Sequence, residues 1–316
     1  MAKSRIWTNY PPVVEDAGLL RRVLPDYSIV VGTKSGDDPS LEQVDIAFGQ
    51  PNPEIAIKLT NLRWIHVNTA GYTAYDRDDL RAALRSRGAV FSNSSHVYCE
   101  PCAQHVLALM LSLARKIPQS VLNQHGPREW IMNGLRGQST LLNGQVALLA
   151  GFGAIGQRLA ELLAPLHMHL IAVRKNVRGN EPIETYSISK LDDLLPMADH
   201  VVNVLPASNS TRGLFGSSRF ALMKQSAIFY NIGRGDTVDQ KALQEALRDH
   251  RLSAAFLDVM TPEPLPADHP LWSTPNCFIS PHTAGGHVNE VERVIGHFVE
   301  NLSRFEQGKK LTDQVI

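Results

Sequence analysis

Val146-Ala-Leu-Leu-Ala-Gly151-Phe-Gly153-Ala-Ile-Gly156-Gln-Arg-Leu-Ala160 is five apolar residues, a glycine-rich turn and an apolar-periodic segment, in that order. The order predicts a buried strand, a tight loop and a helix, the context in which G-x-G-x-x-G holds a dinucleotide. Gly151 is expected to make the turn. Gly153 lets the backbone approach a pyrophosphate, and Gly156 lets the helix pack against the strand. Phe152, Ala154 and Ile155 complete the expected phosphate loop, because the helix start offers N–H groups and partial positive charge.

The next strand is expected at His169-Leu-Ile-Ala-Val173. An acidic residue at its end would bond a ribose 2′-hydroxyl. Arg174 stands there instead, followed by Lys175, with Arg178 nearby and no Asp or Glu between Glu161 and Glu181. Cations at this point suit the extra phosphate of NADP. NADP is therefore the expected cofactor, with NAD as the alternative.

The chain has 316 residues, enough for two domains, and equal numbers of cationic and anionic side chains, 31 each. Nothing in this balance points to nucleic acid. No secretory signal is expected from Met1-Ala-Lys-Ser-Arg. The longest apolar run, Val106 to Ala114, reads as too short to span a bilayer. Three cysteines fit a reducing compartment, the cytoplasm. Cys99-Glu-Pro-Cys102 has redox-like spacing but reads as incidental buried thiols, and no metal site is expected.

The first hundred residues alternate strand patterns (Ser28–Val31, Asp45–Phe48, Trp64–Val67, Ala89–Phe91) with helices expected over Glu15–Leu24 and Asp78–Arg87. Alternation of this kind predicts a parallel sheet covered by helices. Pro101 suits a first helical turn, and the apolar segment after it predicts a helix buried on all sides, between domains or subunits. Residues 123–143 read as an irregular connection. After the glycine loop, Ser189 is expected to cap a helix over Lys190–Leu195. Another helix is expected over Gln240–Arg248. Strands are expected at His200–Val204, Ala227–Asn231, Ala254–Leu257 and Phe278–Ser280. A final helix, Val288–Gln307, would return to the first domain.

Ligands of open α/β sheets sit off the carboxyl ends of the strands. Three reactive side chains follow such ends: Arg234 in Asn231-Ile-Gly-Arg-Gly235, a carboxylate in Asp258-Val-Met-Thr-Pro-Glu263-Pro264, and His282 in Pro281-His-Thr-Ala-Gly-Gly286. A histidine held by a carboxylate is a general acid/base, and an arginine clamps a carboxylate with two parallel bonds. With a nicotinamide nearby, the trio fits interconversion of a 2-keto and a 2-hydroxy acid. Leu205, Pro206 and Ile232, also at strand ends, are expected cofactor contacts.

Over most of its length the chain resembles the D-isomer-specific 2-hydroxyacid dehydrogenases. The resemblance rests on Ala70-Gly71, Ala103-Gln-His-Val-Leu-Ala-Leu, Arg128-Glu-Trp130, Leu142-Asn-Gly-Gln-Val, the glycine loop, Asn231-Ile-Gly-Arg-Gly235, Leu257-Asp-Val259, Pro262-Glu-Pro264 and Pro281-His-Thr-Ala-Gly285. It implies two Rossmann-like, doubly wound parallel-sheet domains with a cleft between them. The substrate domain would span 1–100 plus 287–316 and the dinucleotide domain 101–286. It also implies a homodimer without a separate regulatory domain. By that resemblance His282 is the acid/base, Glu263 orients it, and Arg234 holds the substrate carboxylate. Backbone N–H groups of Ala70 and Gly71 take its other side, and Asp258 faces the nicotinamide carboxamide. Gln104 and Thr73 depart from the family's usual Glu and Asp. The expected reaction is reduction of a small 2-keto acid of the glyoxylate or hydroxypyruvate type. A 3-phosphoglycerate dehydrogenase and a non-catalytic dinucleotide sensor are the alternatives.

Overall fold

The computed structural model describes residues 4–16 and 18–316. The chain divides into two compact units, one of residues 1–98 with 287–316 and one of residues 99–286.

The first unit contains β1 (Arg5–Thr8), β2 (Ser28–Val31), β3 (Ile46–Phe48), β4 (Trp64–His66) and β5 (Val90–Ser92), all parallel, in the order β2-β1-β3-β4-β5. The order reverses between β1 and β3, a doubly wound pattern. The strands are short and apolar because both sheet faces are covered. Helix Glu290–Glu306 supplies part of one cover: Phe298 stacks on Phe48 at 4.3 Å and on Trp64 at 5.1 Å between ring centres. Burying such a ring contributes about 1.5–3 kcal/mol. The chain's last residues close the outer edge of β5. Gln314 bridges Ser92 antiparallel, and Val315 N–H donates to the Phe91 carbonyl at 2.8 Å. Asp313 pins this tail by accepting from the backbone N–H of His96 and pairing with the His96 and His297 rings. Burial pushes its carboxyl up, but the hydrogen bonds from His297 and His96 outweigh that and hold it well below the usual range.

The second unit contains β6 (Val146–Ala150), β7 (His169–Arg174), β8 (Glu184–Ser187), β9 (His200–Asn203), β10 (Ile228–Asn231), β11 (Ala254–Leu257) and β12 (Cys277–Ile279). They form one parallel sheet in the order β12-β11-β10-β9-β6-β7-β8. The chain starts in the middle at β6, runs outward to β8, then returns to β9 on the other side. The switch point therefore lies between β6 and β9, directly beside the glycine loop. In register, Ala150 pairs with Asn203 and Asn231 with Leu257, so the loops after these strands emerge side by side.

Several local expectations are corrected. Pro101 lies inside helix Ser95–Ala114, which begins six residues earlier where Asn93 Oδ1 accepts the Ser95 N–H. That helix is not buried all round, since Gln104, Ala108 and Leu111 form an exposed row at helical spacing. At 20 residues it is also long and apolar enough to cross a bilayer, contrary to the shorter run read from the sequence; here Ala103, Val106 and Met110 are completely buried in the folded chain. The stretch 123–143 is not irregular throughout, because helix Ile117–His125 runs into it and Met132–Gln138 forms within it. Neither buries a residue, so neither had a periodic signal. The helix expected over Glu15–Leu24 is two, Pro11–Glu15 and Gly18–Val23. Ser187, not Ser189, caps the turn before Leu191–Leu194. Strands β1 and β8 and helix Ser217–Leu222 had not been anticipated. The remaining strand ends move by a residue or so, and Arg174 becomes the last residue of β7.

Candidate active site

The glycine loop has the geometry that its sequence requires. Gly151 adopts φ +110°, and a Cβ there would lie 3.1 Å from the Val204 backbone. A Cβ on Gly156 would sit 2.4 Å from the Gly151 carbonyl oxygen, so helix Ala154–Leu163 can approach β6 only through glycine. Gly153 differs: nothing lies within 4 Å of the position its Cβ would take. No side chain caps this helix. Its first amides thus point, uncapped, at the open side of an exposed glycine, which fits a pyrophosphate.

At the end of β7, Arg174, expected in a cluster of cations, has an acidic partner. Its Nη1 lies 3.2 Å from Glu181 Oε1. Glu181 also accepts the backbone N–H groups of Arg178 at 2.8 Å and Gly179 at 2.9 Å. These bonds, the Arg178 N–H foremost, hold its carboxyl below the usual range. Lys175 and Arg178 are exposed.

His282 and Glu263 come together. The His282 Nδ1 lies 2.7 Å from Glu263 Oε2, while Glu263 Oε1 accepts the Met260 N–H at 2.9 Å. His282 follows β12 with its backbone in the left-handed region, φ +54°. Its N–H donates to the Asp258 carbonyl at 2.9 Å. A cavity of about 480 Å³ opens beside the pair, lined by Met260, Pro264, Leu265, Trp272 and Pro281.

Asp258, at the end of β11, is almost completely buried. Its Oδ1 accepts from the Ser280 hydroxyl and from the N–H of Thr283 at 2.9 Å, and its Oδ2 from Ala284 N–H at 3.1 Å. The carboxylate thereby ties the loop carrying His282 to the sheet. His105 Nε2 lies 3.2 Å from the same Ser280 hydroxyl, and burial lowers the tendency of its ring to take a proton.

Arg234 forms no hydrogen bond with the pair. Its Nη1 donates to the Gly233 carbonyl at 2.6 Å. Its backbone is set by a buried network that sequence reading missed. Asn203 Nδ2 donates to Asn231 Oδ1 (2.9 Å) and to the Thr237 hydroxyl (2.6 Å), which donates in turn to the Arg234 carbonyl at 2.6 Å. The signal was available in principle: Asn203 and Asn231 are polar residues closing otherwise apolar strands, and their register pairs them. Leu205, Pro206 and Ile232 follow β9 and β10 at the switch-point side of the sheet, and Leu205 and Ile232 are buried there.

In the first unit, the Ala70 carbonyl accepts from Asn93 Nδ2 at 2.8 Å and the Gly71 carbonyl from the Thr69 hydroxyl at 2.6 Å. The N–H groups of Ala70 and Gly71 have no acceptor among the described residues. Cys102 is buried and Cys277 partly so, burial pushes each thiol up to about 12, and no cysteine is in a disulfide.

A doubly wound sheet with an open glycine loop at its switch point, and a histidine–carboxylate pair off neighbouring strands, is the arrangement of a dinucleotide-dependent oxidoreductase. Comparison with known proteins narrows the class. The family model described as D-isomer specific 2-hydroxyacid dehydrogenase, NAD binding domain, matches residues 107–284. Glyoxylate/hydroxypyruvate reductase B of Citrobacter koseri is 34% identical over 264 residues, covering 82% of this chain and 79% of that protein. Glyoxylate reductase of Aeropyrum pernix is 35% identical over 243 residues, covering 74% and 71%. A D-isomer specific 2-hydroxyacid dehydrogenase from Xanthobacter autotrophicus, solved in complex with NADPH and MES, superposes with a TM-score of 0.83 at 25% identity, covering 100% of this chain and 98% of that one. The chain belongs to the D-isomer-specific 2-hydroxyacid dehydrogenases, and is an NAD(P)-dependent oxidoreductase.

Proposed function

We propose that this protein is an NADP(H)-dependent reductase of small 2-keto acids of the glyoxylate or hydroxypyruvate type. The observation that carries the reading is the His282–Glu263 pair, at 2.7 Å, off β12 and β11, with Arg234 in the turn after the next strand, β10. The named activities of the relatives and the NADPH of the Xanthobacter structure support it.

The loop Gly151–Gly156 would hold the pyrophosphate, flanked by Leu205, Pro206 and Ile232, with Arg174 and Lys175 at the 2′-phosphate. When bound, the cofactor supplies the hydride that reduces C2 of the keto acid. Glu263 accepts the Nδ1–H of His282, which fixes the ring so that Nε2 delivers the proton to the substrate oxygen. Arg234 clamps the substrate carboxylate with its planar fork. Asp258 keeps the His282 loop in place, and its less committed Oδ2 is left for the nicotinamide carboxamide.

We also assign a homodimer. Leu122 (68% exposed), Trp130 (92%) and Leu141 (69%), with Leu111, Ile117 and Val121, give helices 95–114 and 117–125 and the loops beyond them an uncovered apolar surface. A second copy covering it would explain why helices 117–125 and 132–138 bury nothing within one chain. The reducing cytoplasm suits the thiols.

A panel of 2-keto acids run with NADPH and with NADH, following absorbance of the reduced nicotinamide, tests the reading. Oxidation with glyoxylate or hydroxypyruvate, faster with NADPH at low salt, is expected. Cofactor binding without turnover on any acid would make the protein a dinucleotide sensor instead.

A further inference from the structure

The segment between β7 and β8 contains an acid that the reaction scheme does not use. Glu181 is seven residues beyond Arg174, yet its side chain is only 6% exposed and that of Arg174 17%. Its Oε1 meets Arg174 Nη1 and the Arg178 N–H, and its Oε2 meets the Gly179 N–H. One carboxylate therefore ties the strand-end guanidinium to the far side of the loop that carries Lys175 and Arg178. Without this tie, residues 175–180 would be an exposed run with no buried side chain to fix its path. Arg174 Nε and Nη2 carry no hydrogen bond among the described residues, so the guanidinium is held at one corner and presents its other edge.

We propose that Glu181 is a positioning residue for cofactor selection: it presets Arg174 and the Lys175–Arg178 loop to receive the 2′-phosphate of NADP(H). The inference rests on the NADP(H) reading given above and deepens it. A free arginine gives up much side-chain freedom on binding a phosphate, whereas one already held by a buried carboxylate has given it up on folding. An anion beside the phosphate site opposes phosphate binding by charge alone. Here the carboxylate is paired with the Arg174 guanidinium and accepts two backbone N–H groups, so fixing the loop outweighs repulsion.

The test separates the two. Adenosine 2′,5′-bisphosphate and 5′-AMP, which differ only in the 2′-phosphate, are titrated calorimetrically into the intact protein. Glu181→Ala is expected to weaken the bisphosphate roughly 5- to 50-fold, a part of what a charge-assisted arginine–phosphate bond contributes, and to leave 5′-AMP within about twofold. Glu181→Gln keeps one acceptor oxygen for a backbone N–H while losing the charge that ties Arg174, so its loss should be smaller than that of the alanine variant. In turnover, the KM for NADPH should rise in both variants, with kcat and the KM for NADH unchanged. Equal weakening of both nucleotides would make Glu181 a general loop scaffold and overturn the proposal. Unchanged or tighter bisphosphate binding would overturn it as well, the latter by showing that repulsion dominates. Arg174→Ala tests the underlying reading separately. If it leaves bisphosphate affinity intact, Arg174 is not at the 2′-phosphate. If it weakens binding while both Glu181 variants bind normally, only the present inference fails.

Discussion

His282 is a small, replaceable side chain on an unusual backbone. It has a left-handed φ of +54°, its own N–H given to the Asp258 carbonyl, and a ring nitrogen 2.7 Å from Glu263. A positioned acid/base accounts for about 10²–10⁴ in rate. His282→Gln should therefore lower kcat by that order while cofactor binding, followed by nicotinamide fluorescence, stays normal. Glu263→Gln keeps one acceptor oxygen, enough for the ring or for Met260 but not both, and leaves His282 in place, so the loss should be smaller, about tenfold to a hundredfold. Wild-type kcat in the His282 variant would remove this residue from the chemistry.

At the scale of the element, the turn after β10 shows how a strand end fixes the backbone of Arg234, the proposed substrate clamp. The Thr237 hydroxyl is completely buried, receives Asn203 and donates to the Arg234 carbonyl. Thr237→Val keeps the shape but leaves that carbonyl with one donor fewer. About 1–3 kcal/mol of stability should be lost, read from the urea midpoint, and the keto-acid KM should rise more than kcat falls because Arg234 is no longer fixed. A loss of stability with unchanged KM would show that the network holds the sheet and not the arginine. This network also marks the limit of sequence reading. Arg234, Glu263 and His282 were legible because each follows a strand and has a chemistry of its own. Asn203 and Ser280 act through partners far along the chain, and Thr237 and Glu181 through nearer ones, but in no case does a local pattern reveal the partner. Elements failed for a related reason. β1, four residues between Ser4 and Asn9, is too short for a periodic signal, and β8 is an edge strand of partly exposed residues. Helices 117–125 and 132–138 bury no face within the chain, so hydrophobic spacing could not announce them. The doubly wound class was readable because buried parallel strands are short apolar runs regardless of their exact ends.

At the scale of the whole molecule, each unit buries one histidine deeply enough to lower its pKa far below the ordinary value. His66 is buried between the hydroxyls of Ser92 and Ser94, and burial lowers its pKa to about 3. His200, bonded to Gln145 Oε1 at 2.6 Å, is lowered to about 4, again by burial. In the unfolded chain both would titrate near the ordinary value, about 6.5. Below that pH the unfolded state binds protons that the folded state refuses. Stability is thus fully present above about pH 6.5 and declines on acidification, by about 1.4 kcal/mol per pH unit for each histidine until its folded value is reached. Urea midpoints between pH 7 and 4.5 should fall with a slope approaching two protons. His200→Gln should flatten that slope toward one, whatever it does to stability at pH 7. A midpoint independent of pH across this range would contradict the buried neutral state.

The tail that closes the edge of β5 has a consequence for how the chain is made. Residues 99–286 are continuous and can assemble as soon as they leave the ribosome. The first unit cannot, because Phe298 and the strand-edge residues Asp313–Ile316 are synthesised only after that whole segment. For the whole time that the middle of the chain is being translated, at roughly 5–20 residues per second, residues 1–98 wait with the cover of Phe48 and Trp64 missing. Residues up to 98 thus emerge before residues 99–286 yet become protease-resistant after them, which lengthens their dependence on a chaperone.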